Sequence, residues 1–253
     1  RTPEPAARLR RFAVLIAARN EESCIAGLIE SLRAQHYPPE LVDIWVLPNN
    51  CTDRTAEAAR RAGAQVLEMP ASVRSKGTAL HTAAKALLRS ARNYDAFCVF
   101  DADNEADPAF LSEMNRALDR TAIVKSRILA KNRTQAGISA CYEIYFCSAN
   151  HFLNRAREAV GLSARVIGTG FAIRRDLLET LDGFPCRTLT EDAELYAACL
   201  CRGARIGYCE AAVTYDEEPV TWRASLVQRR RWMSGILQVA RLTLPELLPN
   251  FLR

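Results

Sequence analysis

Four times within the first 118 residues, a short apolar run gives way to an amphipathic segment, and this alternation narrows the possible folds more than any other feature. Residues 12–17 (FAVLIA) read as a strand, and residues 22–35 as a helix with Ile25, Leu28, Ile29 and Leu32 on one stripe. Residues 41–47 (LVDIWVL) are a second strand, followed by a helix that Asp53 caps and that ends before Gly63. A third strand is expected at 65–69 and a helix at 77–91; the fourth strand is 96–100, and Asp107-Pro108 opens a helix to Leu118. Such repetition predicts a parallel, right-handed sheet with ligands bound beyond the strand carboxyl ends.

The fourth strand runs directly into carboxylates, as AFCVFDADN over residues 96–104. If strand geometry persisted past Phe100, Asp101 and Asp103 would point the same way and suit Mg or Mn, hard ions that take oxygen ligands and leave room for substrate phosphates. The plainer alternative is a cap and an Asx-turn after a strand. Two more polar loops fall on the same rim, Ala18-Arg19-Asn20-Glu21-Glu22 and Pro48-Asn49-Asn50-Cys51-Thr52-Asp53.

Beyond residue 130 the alternation fails. A strand is expected at 123–130, a helix at 137–158, and a turn around Gly168-Thr169-Gly170 within residues 165–174, where backbone either approaches a ligand or closes a hairpin. Thr190-Glu191-Asp192 opens a helix to Arg202; Thr190 suffices as its cap, leaving Glu191 or Asp192 for chemistry. Short strands follow at 205–209 and 212–216, and a helix from Thr221 carries Gln228-Arg229-Arg230-Arg231-Trp232. Gln228, Arg231 and Trp232 share a face at i, i+3 and i+4, with Arg229 and Arg230 pointing elsewhere. That face is either an anion clamp beside a stacking surface or a solvated basic side.

The 253 residues carry a net charge of +5, but 29 of them are acidic, which argues against nucleic acid and toward anionic small substrates or an anionic membrane face. Nine Cys without a C-x-x-C pair, among them Cys98, Cys141, Cys147 and Cys199 in apolar runs, read as reduced core residues of a cytosolic compartment. No apolar run reaches the roughly 18 residues that span a bilayer.

Taken in order, Ala18-Arg19-Asn20-Glu21-Glu22, Lys76-Gly77, Asp101-Ala102-Asp103, Gly168-Thr169-Gly170, Thr190-Glu191-Asp192 and Gln228-x-x-Arg231-Trp232 make the chain resemble the family 2 glycosyltransferases of GT-A fold. The likeness is to their membrane-associated synthase branch, which includes cellulose, hyaluronan and poly-N-acetylglucosamine synthases. It implies a single α/β domain, a Rossmann-like mixed sheet flanked by helices. Residues 1–11 would be an extension, 12–130 the donor half, 131–220 the acceptor and catalytic half, and 221–253 a helix with an amphipathic, membrane-interfacial tail. The implied donor is a nucleotide-sugar, a UDP-sugar, surrounded by Ala18, Arg19, Glu22 and the loop from Asn49 and Asn50 to Asp53, with Lys76 on base or diphosphate. Carboxylates often stand in the family where this chain has Asn49 and Asn50; an amide oxygen still accepts from an imide N–H.

The resemblance further implies that Asp101 touches ribose or metal and that Asp103 holds Mg or Mn. Lys76, Gln228 and Arg231 would stabilise the leaving diphosphate, and Asp192 would be the general base of an inverting transfer. Gly168, Thr169, Gly170, Glu191 and Trp232 would border a saccharide or lipid-linked acceptor. The implied place is the cytoplasmic face of a membrane, with transmembrane helices elsewhere in the full-length protein. A nucleotidyltransferase would carry a Gly-rich loop after its first strand, and residues 17–22 contain no Gly. A catalytically silent scaffold docking through Arg223, Arg229, Arg230 and the tail is the non-enzymatic alternative.

Overall fold

The computed structural model describes residues 6–251, with side chains through residue 245, so Leu247, Leu248 and Phe251 of the expected tail lie outside the described side chains. Strands β1 (Phe12–Ala18), β2 (Val42–Pro48), β3 (Gln65–Val66) and β4 (Ala96–Asp101) run parallel, with helices α1 (Ile25–Arg33), α2 (Thr55–Arg61) and α3 (Lys76–Leu88) between them. Period-two alternation divides β1 between two cores. Phe12, Val14 and Ile16 pack with Leu28, Ile29, Phe110 and Met114, whereas Ala13 and Leu15 pack with Leu80, Phe97 and Val99 on the opposite face. In register, Ala17 faces Asp101 and Ala18 faces Pro48, so the polar loops after these three strands share one rim.

The chain continues through β5 (Glu105–Ala106), α4 (Phe110–Ala117), β6 (Ile123–Ala130), α5 (Gly137–Ser148), a π-helical turn (Ala149–Arg155) and α6 (Ala156–Ala159). It closes with β7 (Phe171–Arg174), α7 (Arg175–Thr180), α8 (Glu191–Cys201), β8 (Ile206–Asp216) and α9 (Trp222–Phe251). All eight described strands form one sheet, ordered β3-β2-β1-β4-β7-β6-β8-β5. The expected mixed α/β domain flanked by helices is therefore present, but the all-parallel pattern of the first half does not persist. The four-residue β7 enters antiparallel between β4 and β6.

Local boundaries also move. The first helix starts at Ile25 rather than at 22, because Glu21 and Glu22 are tied to the neighbouring loop, and the third strand keeps only Gln65–Val66 of the expected 65–69. The two strands expected at 205–209 and 212–216 are one, β8, bulged so that Ser126 faces Cys209 and the next residue, Arg127, faces Val213. The expected helix at 137–158 is continuous only by way of its π-helical turn. Cys98 and Cys199 are buried as core residues, but Cys141 and Cys147 lie on the outer side of α5 and are exposed.

Candidate active site

The first two rim loops lock onto each other. Asn20, in the left-handed region at φ 61°, accepts from the Thr52 N–H at 2.8 Å. Glu21 N–H donates to Thr55 Oγ1 at 2.9 Å, and Glu22 N–H donates to Asp53 Oδ2 at 3.1 Å. The Glu22 carboxylate pairs with Arg54 at 3.0 Å, and the Thr55 hydroxyl holds the Asp53 carboxyl below its usual range. Asn49 is buried and its N–H continues the β1 ladder to Ala18 O at 2.8 Å. Asn50, at φ 51°, donates its amide to Asn49 Oδ1 at 2.8 Å and to Val73 O at 2.5 Å. Ala18, Arg19, Glu22, Asn49, Asn50 and Asp53 thus form one polar edge, with Arg19 exposed.

A cavity of about 500 Å³ lies across the rim from this edge and gathers most of the other expected residues: Lys76, Asp101, Gly168, Thr169, Glu191, Asp192, Gln228, Arg231 and Trp232. The Gly168 backbone joins several of them. Lys76 Nζ donates to Gly168 O at 2.6 Å and to Asp101 Oδ1 at 2.5 Å, while Gly168 N–H donates to Asp192 Oδ2 at 2.8 Å. A Cβ at Gly168 would lie 3.6 Å from Lys76 Nζ, 3.8 Å from Asp101 Oδ2 and 3.9 Å from Asp192 Oδ2, so three opposed charges converge on one backbone position. Burial works against the Lys76 charge, yet Asp101, Glu191 and Asp192 raise its pKa above the ordinary lysine value. Burial also pushes the Glu191 carboxyl upward, against the attraction of Lys76 at 3.4 Å.

Strand β4 ends at Asp101, so the alternation that would have aligned Asp101 with Asp103 stops two residues short of Asp103. Asp101 faces Lys76, and Asp103 occupies the following turn. Burial, then Asp101 and Glu21, push the Asp103 carboxyl up to about 6. Burial, then Asp103, Glu218 and Asp101, raise Asp216 well above the carboxylate range, and burial, then Asp103 and Glu143, push Glu218 up to about 7. Glu218 Oε1 is buried without a hydrogen-bond partner. Asp216 and Glu218 were not singled out in the sequence, although an Asp-x-Glu step at the end of a strand offers the same signal as Asp-x-Asp.

The Gly168-Thr169-Gly170 turn is held from every side. Thr169 Oγ1 accepts from Asp101 N–H at 3.0 Å and donates to Asn104 Oδ1, whose amide donates in turn to Asp216 Oδ1 at 2.7 Å. Gly170 sits at φ 58°, and a Cβ there would stand 2.5 Å from both Ser126 Oγ and Thr214 Oγ1, so only glycine fits. Lys125 lies beneath the turn, 1 % exposed, with burial lowering its pKa to about 7 against the pull of Asp216, Asp192 and Asp101.

Helix α9 closes the cavity. Tyr142 of α5 donates to Gln228 Oε1 at 2.9 Å, stands 3.0 Å from Ser225 Oγ, and meets the Trp232 ring edge-on at 6.2 Å. Trp232 is partly buried against this Tyr142 cluster. Arg229, expected to point away, instead lies over the Tyr142 ring at 5.2 Å and lines the cavity, because its ring partner comes from α5 rather than from its own helix. Thr190 does not cap α8. Its side chain packs under Gly235 of α9, where its Oγ1 is buried without a hydrogen-bond partner.

Among solved structures, the chain is similar to a mannosyltransferase from Pyrobaculum calidifontis in complex with GDP-Man and Mn2+, at 20% identity and TM-score 0.69 over 96% of this chain and 67% of that one. It is also similar to glucosyl-3-phosphoglycerate synthase of Mycobacterium tuberculosis, in complex with Mn2+, UDP and phosphoglyceric acid, at 21% identity and TM-score 0.61 over 91% and 78%. These likenesses give the fold, GT-A. In sequence, a probable glycosyltransferase, YdaM, of Bacillus subtilis (strain 168) is 28% identical over 90% of this chain and 55% of its own length. A beta-monoglucosyldiacylglycerol synthase of Synechocystis sp. is 25% identical over 89% and 47%. The chain thus spans about half the length of the curated relatives it matches. The model of the family described as Glycosyltransferase like family 2 matches residues 10–235, and the chain belongs to that family.

Proposed function

We propose that the chain moves a glycosyl group from a nucleotide-sugar, a UDP-sugar, to a hydroxyl of a saccharide or lipid-linked acceptor, with inversion and in a metal-dependent reaction. The observation that carries this is the convergence of Lys76, Asp101 and Asp192 on Gly168 inside a cavity bordered by Gln228 and Arg231. Displacing a nucleoside diphosphate from an anomeric carbon builds negative charge on the leaving phosphate, and Lys76, Gln228 and Arg231 would stabilise it. The acceptor hydroxyl must lose its proton as it attacks. Asp192 has one oxygen fixed by the Gly168 N–H, which leaves Oδ1 to take that proton. A single base and in-line attack give inversion.

The residues fit a divalent ion. Asp103, Asp216 and Glu218 are carboxylates whose ionisation is opposed by burial and by neighbouring carboxylates, with one buried oxygen unpartnered, the imbalance a cation relieves. Asp103, with Asp101 beside it, would hold the ion. Mg or Mn takes oxygen ligands and is bound through one or two carboxylates together with substrate phosphates. The ion would neutralise charge on the departing diphosphate. Several relatives and neighbours bear names that fit this reading, with UDP, GDP-Man and Mn2+ in the structures and diacylglycerol in the synthases.

The acceptor side of the cavity is apolar and aromatic, from Tyr145, Phe146, Ile167, Trp232, Met233 and Ile236. A flat ring such as Trp232 suits the C–H face of a pyranose. Outside the cavity, α9 exposes Leu226, Val227, Leu237, Leu242 and Leu244 near Arg223, Arg229 and Arg230, which supports a site beside a membrane surface. Among the described residues, no helix is long and apolar enough to cross a membrane.

Thermal shift against UDP-, GDP- and TDP-sugars with Mg or Mn, followed by turnover on the best donor, tests the proposal. Asp192→Asn is expected to lower kcat by about 10²- to 10⁴-fold with donor binding retained, and a chelator is expected to remove activity. A flat donor panel would favour the scaffold alternative, and near-wild-type turnover by the Asn variant would remove Asp192 from its role.

A further inference from the structure

A lysine ammonium is among the costliest groups to bury, and a fold retains one in its core only when acceptors surround it. Lys125 on β6 has such a set. Its Nζ donates to Thr169 O at 2.8 Å, to Gly170 O at 3.1 Å and to Ser126 Oγ at 3.3 Å. Two of these three acceptors are consecutive carbonyls of the turn that carries the catalytic contacts. On the upper side of the same turn, Gly168 O receives Lys76, Gly168 N–H holds Asp192, and Thr169 Oγ1 receives the Asp101 N–H. Lys125 therefore grips from below the backbone on which the three cavity groups depend from above.

Neighbouring strands hold only the Gly170 end of the turn and leave the Thr169 carbonyl to Lys125. β7 begins only at Phe171, and the turn's own backbone links are Gly170 N–H to Val99 O at 2.9 Å, Ser126 N–H to Gly170 O at 2.9 Å and a tight Thr169 N–H to Ile167 O contact at 2.6 Å. The Thr169 carbonyl, at the apex, has Lys125 as its donor. Without it that carbonyl would be buried and unpaired, since Thr169 is 2 % exposed, and the peptide would gain by rotating away. Rotation of the Thr169–Gly170 peptide would pull the Gly170 N–H off Val99 O and, by changing the Thr169 backbone dihedrals, shift the adjoining Gly168 backbone that receives Lys76 and holds Asp192.

We infer that Lys125 is a positioning residue for glycosyl transfer, one that fixes the Gly168-Thr169-Gly170 backbone and thereby aims Asp192 and Lys76 without touching substrate. This rests on the proposed function for its kinetic consequence, though not for its structural one. Because the donor also has the separate rim of residues 49–53 to hold it, the loss is expected in kcat more than in donor KM. Misalignment acts where geometry is demanded, in the transition state.

Two variants separate hydrogen bonding from charge. Lys125→Met removes the donors from a chain one atom shorter than lysine; Lys125→Gln has the same reach as Met and is neutral, but it retains two N–H donors for the turn carbonyls. Lys125→Met is expected to lose 10- to 100-fold in kcat, as about 1.4 kcal/mol per tenfold, with donor KM changed less than threefold. Amide hydrogen exchange at Gly168 should accelerate at least tenfold in the Met variant while Val99 in β4 stays protected. Lys125→Gln should recover at least a third of the lost activity and the slow exchange. A Met variant within twofold of wild type in both measurements would overturn the inference. So would Gln and Met variants equally impaired, or both unfolded, either of which assigns Lys125 to charge balance or packing. If the wild-type chain transfers no sugar, the proposed function fails, while exchange at Gly168 still decides whether Lys125 holds the turn.

Discussion

Tyr142 Oη donates a 2.9 Å hydrogen bond to Gln228 Oε1, so the motif helix α9 takes its orientation from a residue of α5, 86 positions earlier. The same phenol carries Ser225 on its oxygen and Arg229 on its ring, and Trp232 leans on its edge. Removing only the hydroxyl, in Tyr142→Phe, deletes the bond that sets Gln228 and leaves the ring contacts. A loss of about 1 kcal/mol in stability is expected, seen as a fall of roughly 2–4 °C in Tm. kcat/KM should drop by about 3- to 10-fold through Gln228. Tyr142→Ala should cost far more, since the Arg229 and Trp232 contacts go with it. Calorimetry and steady-state kinetics on both variants check the ordering.

Helix α9 meets α8 where Gly235 lies on Thr190, and no Cβ fits between them. Gly235→Ala must push the helices apart and is expected to destabilise by about 1–3 kcal/mol. Thr190→Val should behave in the opposite way. The Thr190 hydroxyl is buried without a partner, so an isosteric methyl removes an unmet desolvation cost, and the variant should be neutral or more stable by up to about 1 kcal/mol. Urea titration of both variants tests this; a clearly destabilised Thr190→Val would show that the hydroxyl is satisfied after all.

Near the amino end, buried Arg10 pairs with Asp119 Oδ1 at 2.6 Å, and Ala7 N–H donates to Asp119 Oδ2 at 2.9 Å. Burial opposes the Asp119 charge, but the Ala7 N–H and the Arg10 guanidinium outweigh it and hold the carboxyl below its usual range. A depressed folded-state pKa contributes stability that is complete above the unfolded value and disappears as pH falls through the folded one. Asp119→Asn should therefore be less stable than wild type near pH 7, by about 1–3 kcal/mol. The gap should shrink as pH falls below about 4, the unfolded carboxyl value. Tm measured at a series of pH values would show the two curves converging on the acid side.

What could be read directly from the chain was local. The apolar runs of β1, β2 and β4, the stripe on α1 and the carboxylates after β4 are periodic or contiguous in sequence, because burial of a strand or a helix face leaves its mark on neighbouring positions. The short β5 and β7 left no such mark, and β7 turned the sheet from parallel to mixed.

The candidate site divides along the same line. Lys76, Asp101, Gly168, Glu191, Asp192, Gln228, Arg231 and Trp232 sit in short polar clusters that stand out against apolar surroundings, and they meet in one cavity. Lys125, Tyr142, Asn104, Asp216 and Glu218 lie inside runs that read as ordinary strand, helix or loop, and Arg229 was aimed outward by helical spacing alone. By itself the sequence determined the strand–helix frame and the residue types available at its carboxyl rim, since both follow from local pattern and the chemistry of single side chains. The tertiary structure alone decided which of them act together. Lys125 reaches Thr169 across 44 positions and Tyr142 reaches Gln228 across 86, and such pairings arise from strand order and helix packing, to which no local period answers.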